Sequence, residues 1–246
     1  MLSLVLLAVS IGLLIKCAVD DRREYLLFKT LAGTADRQQI YRLWLFKGLV
    51  LFGLFGVAQL AMLGRLPALF VLPAEFAPIA AMIRARIGAL DLSADHLIGS
   101  GISFGTGVAI TMIVAIRTGK SIGAGDFDAL RPRNRAELGW GALLSLNAGI
   151  GEELFFRLVL PLLFTDLAGD PLLGFALATI AFGLAHAYQG VVGVLTTGLI
   201  GAFLAFVYLA TGNLFIVVAI HAAIDLNALV LQPWLMLRFG RPRKVA

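Results

Sequence analysis

Cysteine is almost absent from this 246-residue chain: Cys17 alone cannot form an intrachain disulfide, and no Cys or His spacing resembles a structural zinc site. The Leu-Ile-Lys sequence before it lacks the small residues of a lipoprotein cleavage site, so Cys17 reads as a plain thiol at a membrane boundary. Histidine is nearly as scarce, with three residues and no His-Glu-x-x-His sequence among them. Charge is thin as well. Only 14% of the residues are charged and 60% are hydrophobic, where a soluble domain carries about 25% and 45–50%. These proportions exclude an ordinary water-soluble domain and predict an integral membrane protein. The net charge of +5 and pI near 9.7 do not point to nucleic acid. The Lys and Arg residues lie in short stretches between apolar runs, as anchoring beside anionic lipid requires. Neither an internal repeat nor a low-complexity stretch is present.

Apolar runs give an all-α, polytopic bundle of about seven transmembrane helices, within a range of six to eight. Met1 to Ile15 has no basic residues ahead of it and no cleavage site after it, so it reads as a retained first span. Lys16 to Lys47 holds seven Lys or Arg residues and reads as a cytoplasmic loop or interfacial helix. Gly48 to Gly64 is the second span, long enough for a core of ~30 Å with help from its flanks. Pro67, Pro73 and Pro78, with Glu75, Arg84 and Arg86, argue against a straight crossing in Leu66 to His96, which reads as a surface or re-entrant segment. Leu97 to Ile116 is the third span, with Gly101 and Gly105 offering a face for close helix approach. Arg117 to Glu137 is a second basic loop. Spans four to seven are Leu138–Phe164, Leu172–Tyr188, Gly190–Leu209 and Leu214–Leu231, with turns at Asp166-Leu167-Ala168-Gly169-Asp170-Pro171 and Thr211-Gly212-Asn213. The organisation is therefore a membrane region at 1–137, a membrane core at 138–237 and a basic tail at 238–246. With the amino terminus outside and the carboxyl terminus cytoplasmic, 16 of the 20 Lys and Arg residues fall inside, as the positive-inside rule prefers.

Between Leu138 and Leu237 the only Asp, Glu, Lys, Arg or His residues are Glu152, Glu153, Arg157, Asp166, Asp170, His186, His221 and Asp225. Burying an ionisable group in a bilayer costs about 2.5 to 3.5 kcal/mol on insertion scales, so each one outside the turn should face a cavity, have a partner and serve a function. Glu153 and Arg157 are four apart and share a helix face, which suits a buried structural ion pair. Glu152 points about 100 degrees away from Glu153, where Arg157 cannot easily neutralise it, and it is a candidate general base. His186 follows Phe182 by four residues on one stripe, and His221 precedes Asp225 by four. A lone histidine on an apolar helix is more often a satisfied core residue; two of the three fall in the same uncharged region as the glutamates. His96 sits at a loop edge. Depth counting along the spans does not by itself bring Glu152, His186 and His221 to one level.

The order Glu152-Glu153-x-x-x-Arg157, Phe182-x-x-x-His186, His221-x-x-x-Asp225 on three membrane segments resembles the CPBP family of intramembrane proteases, also called Abi. That family includes CAAX prenyl endopeptidases and proteins of bacteriocin processing or self-immunity. The resemblance covers about Leu138 to Leu231; the first 137 residues carry no signature of it. Asp225 stands where many members have Asn.

The resemblance implies hydrolysis of a peptide bond by a glutamate-activated water. Glu152, assisted by His186, would take the proton, while His221 and Asp225 would polarise the scissile carbonyl, with Asp225 doing so only if protonated or else orienting His221. Glu153, Arg157 and Phe182 would support the site. No metal is favoured; if zinc is bound, Glu152, His186 and His221 would hold it. The implied partners are membrane lipid and a membrane-associated peptide or protein, either lipid-modified or a leader peptide, in a bacterial or archaeal plasma membrane. Two other classes fit the buried charges: a transporter or channel with an acid and histidine ion path, and a non-enzymatic immunity or scaffold protein.

Overall fold

The computed structural model describes residues 1–88, 110, 113 and 125–239. The expected third span, 97–116, lies outside the described residues apart from Ile110 and Ile113, as does most of the basic tail. Among the described residues there is no strand: the chain is an all-α bundle. Among the described residues four helices are long and apolar enough to cross a membrane, namely Leu2–Thr30, Thr34–Met62, Ala187–Thr211 and Leu214–Phe239.

The first apolar run does not end at Ile15. Helix α1 spans Leu2–Thr30, because the charges from Lys16 onward include no helix breaker. A turn at Leu31-Ala32-Gly33 then sends the chain back as α2, Thr34–Met62. The stretch read as a loop or interfacial helix is thus the adjoining ends of two long helices. Its charges close on one another across the hairpin: Lys47 Nζ lies 2.7 Å from Asp21 Oδ1 and 2.9 Å from Glu24 Oε2. Mixed charge that resembles a solvated loop in one dimension is a set of interhelical pairs in three.

The proline-rich stretch gives short 3-10 turns at Leu66–Leu69 and Ala74–Phe76 and then α3, Ala77–Gly88. Phe76 is fully buried and stacks edge-on against Phe175.

Helix α4, Arg135–Glu153, starts where the side chain of Asn134 accepts the N–H of Glu137 at 3.1 Å, a capping arrangement. A π segment, Leu154–Val159, carries the axis onward into α5, Leu160–Ala168. All six π residues are buried, which makes this stretch the centre of the bundle. Glu152 and Glu153 just before it and Arg157 within it leave this helix less apolar than the four spans above, yet it is buried among them. Gly169, with φ of +70°, stops α5 in the left-handed region. Asp170 then caps α6, Pro171–Ala185, by accepting the N–H of Leu172 at 2.8 Å. The same device recurs after α7, Gly190–Thr211: Gly212 has φ of +69°, and Asn213 caps α8, Leu214–Phe239, through the N–H of Phe215 at 2.9 Å.

These turns sort the chain into two ends. At one end Ser3 donates to Asp166 at 2.9 Å and Arg84 donates to the Ala210 carbonyl at 2.9 Å. At the other, Lys29 pairs with Asp126 at 2.6 Å, and Arg133 donates to the Leu31 carbonyl at 2.8 Å. The Lys29 contact, with a further hydrogen bond from Tyr25, holds the Asp126 carboxyl below the usual carboxylate range. Arg37, fully buried, ties this second end together through Glu137, Tyr41 and the carbonyls of Ala129 and Arg131. Large apolar side chains such as Leu146, Ile180, Leu195, Leu199 and Phe203 remain exposed around the waist, as a surface facing hydrocarbon requires.

Candidate active site

Helices α4 and α8 pack closely because glycine lets them. A Cβ on Gly149 would stand 2.9 Å from the Ala222 side chain and 3.0 Å from its backbone nitrogen. That approach sets the end of α4 against the turn of α8 carrying His221. Consecutive glutamates on α4 then point in different directions, as the helical step demands.

Glu153 faces the interior and is fully buried. Its Oε1 lies 2.6 Å from His221 Nδ1, and its Oε2 lies 3.0 Å from Arg157 Nε. A carboxylate can only accept, so Nδ1 of His221 carries a proton, and its Nε2, turned toward the cavity, donates when the ring is an imidazolium. Arg157 is sealed beneath the ring of Phe182, with its guanidinium carbon 4.4 Å from the ring centroid. The expected ion pair is present, and it has a second partner, His221, that lies 68 residues away in sequence.

Phe182 is the hub of the aromatic packing. Its ring centroid is 4.9 Å from that of His186, 6.1 Å from that of His221 and 5.2 Å from that of Phe156. Gly201 of α7 makes room for it, since a Cβ there would stand 2.7 Å from the Phe182 ring. His186 is the last residue of the α6 turn, and its Nδ1 lies 2.9 Å from the Phe182 carbonyl. A carbonyl only accepts, so this nitrogen donates. In neutral His186 the lone pair is therefore on Nε2.

Glu152, His186, His221 and Asp225 all line one cavity of about 910 Å³. The structure thus brings together side chains that depth counting along separate spans left at different levels. His221 Nε2 stands 4.0 Å from Glu152 Oε2 and 3.7 Å from Asp225 Oδ2. Those separations are too long for hydrogen bonds and short enough for one water or carbonyl oxygen to touch both members of a pair. Glu152 Oε2 is buried without a hydrogen-bond partner among the described residues. Beside the cavity, such an atom is free to accept from a water or a ligand.

The donors proposed for zinc, Glu152, His186 and His221, do not assemble: among the described residues no three His, Cys, Asp or Glu groups gather as a metal site.

Part of the cavity wall comes from a region with no legible site motif. Cys17, Asp21, Tyr25, Trp44 and Lys47 of α1 and α2 line it. Asn227, two residues past Asp225, lines it as well. The charged α1–α2 pairs read as loop in sequence, and Asn227 carries no charge to draw notice.

A family model described as Type II CAAX prenyl endopeptidase Rce1-like matches residues 134–227. The match contains Glu152, Glu153, Arg157, Phe182, His186, His221 and Asp225. No curated protein and no solved structure matches the chain.

Proposed function

We propose, from the match of residues 134–227 to the Rce1-like family model and from the site geometry, that the protein is an intramembrane protease that hydrolyses a peptide bond with a water activated by Glu152. The observation that carries this reading is Glu152, whose Oε2 makes no hydrogen bond among the described residues, on a cavity that His186 and His221 also line.

Glu152 accepts a proton from water, and the water oxygen attacks the scissile carbonyl carbon. His186, with Nδ1 tied to the Phe182 carbonyl, offers Nε2 to the same water. The carbonyl electron pair moves onto its oxygen, and His221 donates from Nε2 to the oxyanion while Glu153 stabilises the positive imidazolium from the Nδ1 side. Collapse of the tetrahedral species breaks the C–N bond, and Glu152 returns its proton to the leaving amine. Orienting His221 falls to Glu153, which touches Nδ1, and Asp225 stands beside Nε2, where it contributes to the oxyanion site when protonated. No step runs through a metal.

The substrate is a membrane-associated peptide or protein, of the CAAX type or a leader or tail segment in bacteriocin maturation or self-immunity. The end of the bundle bearing Lys29, Arg37, Arg131 and Arg133 faces the cytoplasm, in keeping with the basic loops gathered there.

Purified protein in detergent, incubated with a quenched-fluorescence peptide library, tests the reading. Cleavage is expected from the wild type and from wild type with a strong chelator, and not from Glu152→Gln or His186→Ala. Cleavage that survives both substitutions, or a folded wild type that cuts nothing, overturns it; loss with chelator alone overturns the metal-free step.

A further inference from the structure

Asn227 is an unclaimed polar group in the site cavity. It lies on α8, six residues past His221 and two past Asp225, at the start of the π segment Asn227–Leu231. A step of two residues turns a helix by about 200 degrees, so Asp225 and Asn227 point to nearly opposite sides of α8. Both nevertheless line the cavity. The cavity therefore wraps around this helix, and it has a second polar station beyond the Glu152 and His221 pair.

The Oδ1 atom of Asn227 is buried and makes no hydrogen bond among the described residues. A buried carbonyl oxygen without a partner is available to a water, an ion or a ligand, and this one belongs to a residue that lines the site cavity. Its own helix does not need the side chain: the backbone N–H bonds to the carbonyls of Ala223 and Ile224, as a helical residue does. π segments also tend to occur at functional sites.

A carboxamide offers an acceptor oxygen and an N–H donor side by side in one plane. That pattern matches the N–H and C=O of one residue in an extended peptide. Glu152 and Asp225 as carboxylates only accept, whereas the carboxamide presents both groups without gaining a proton. We infer that Asn227 is a substrate-binding residue, its carboxamide holding the main chain of the substrate peptide beside the scissile bond, with Oδ1 accepting a peptide N–H. This inference rests on the hydrolase reading above and adds a main-chain contact for an extended substrate.

The test uses the quenched peptide that the wild type cuts fastest in the library screen, remade as an ester scan in which one peptide N–H at a time, away from the scissile bond, becomes an ester oxygen. Wild type should show one ester position at which KM rises about five- to tenfold, the effect of one neutral hydrogen bond, with kcat nearly unchanged. Asn227→Ala should show the raised KM already with the all-amide peptide and no further rise at that position. Asn227→Asp keeps an acceptor oxygen and should keep the ester sensitivity, which carries the test if the Ala variant folds poorly. Because the oxygen has no structural partner, Asn227→Ala should melt no lower than wild type. An unchanged KM in Asn227→Ala, or an ester penalty equal to that of wild type, overturns the inference and leaves the hydrolase reading standing. A wild type that cuts no peptide overturns both.

Discussion

Glu153 serves two partners with two oxygens, and that division makes its replacement informative. Glu153→Leu leaves Arg157 buried without a counter-charge and should cost about 3–5 kcal/mol of stability, measured as a fall in the thermal midpoint in detergent. Glu153→Leu combined with Arg157→Leu removes both charges and should recover most of that loss. Cleavage should stay down about a hundredfold or more in the double variant, since His221 has lost the acceptor on Nδ1. Activity returning with stability would mean that the pair is structural only. The pairing of Glu153 with Arg157 is legible from their spacing of four residues. The link to His221 is not, because nothing in a one-dimensional pattern says which oxygen of a buried acid faces which helix.

At the scale of elements, small residues set the distances on which the site depends. Gly149→Val should push α4 away from Ala222 and the His221 turn, costing about 1–3 kcal/mol by overpacking and lowering kcat. Gly139→Ala is the control: nothing lies within 4 Å of a Cβ at that position, so the change should be neutral or stabilising by up to about 1 kcal/mol. Equal effects from both would show that the α4–α8 spacing does not govern the site. The ends of these helices are readable in advance. Gly169-Asp170-Pro171 and Gly212-Asn213 place a left-handed glycine and a side-chain cap in the order that stops one helix and starts the next. The π segments are not readable, because Leu154–Val159 has the composition of any buried α-helix. The extent of α1 and α2 was hidden for another reason: Asp21, Glu24 and Lys47 look solvated until the hairpin folds and pairs them.

The whole molecule joins a half with a recognisable motif to a half without one, and the cavity belongs to both. Residues 134–227 supply Glu152, His186, His221 and Asp225, while α1 and α2 supply the facing wall. The all-α membrane bundle is legible from composition and apolar runs, because a bilayer forces its helices to be long and apolar. Which helices face each other across the cavity depends on tertiary packing between residues more than 100 positions apart. The proposed orientation can be checked by cysteine labelling in a Cys17→Ala background. Ala35→Cys, at the basic end, should react with an impermeant maleimide only when the cytoplasmic side is exposed, and Leu66→Cys only from the opposite side; the reverse pattern would invert the topology. Ion flux in proteoliposomes that disappears with Glu152→Gln would favour a transport path over hydrolysis. The central claim is that Glu152 activates a water in this cavity. It is tested most directly by mass spectrometry of peptide cut in ¹⁸O-labelled water. One ¹⁸O atom at the new carboxyl terminus with wild type, and no cleaved product with folded Glu152→Gln, is the predicted result, whereas labelled product formed by Glu152→Gln at the wild-type rate would contradict it.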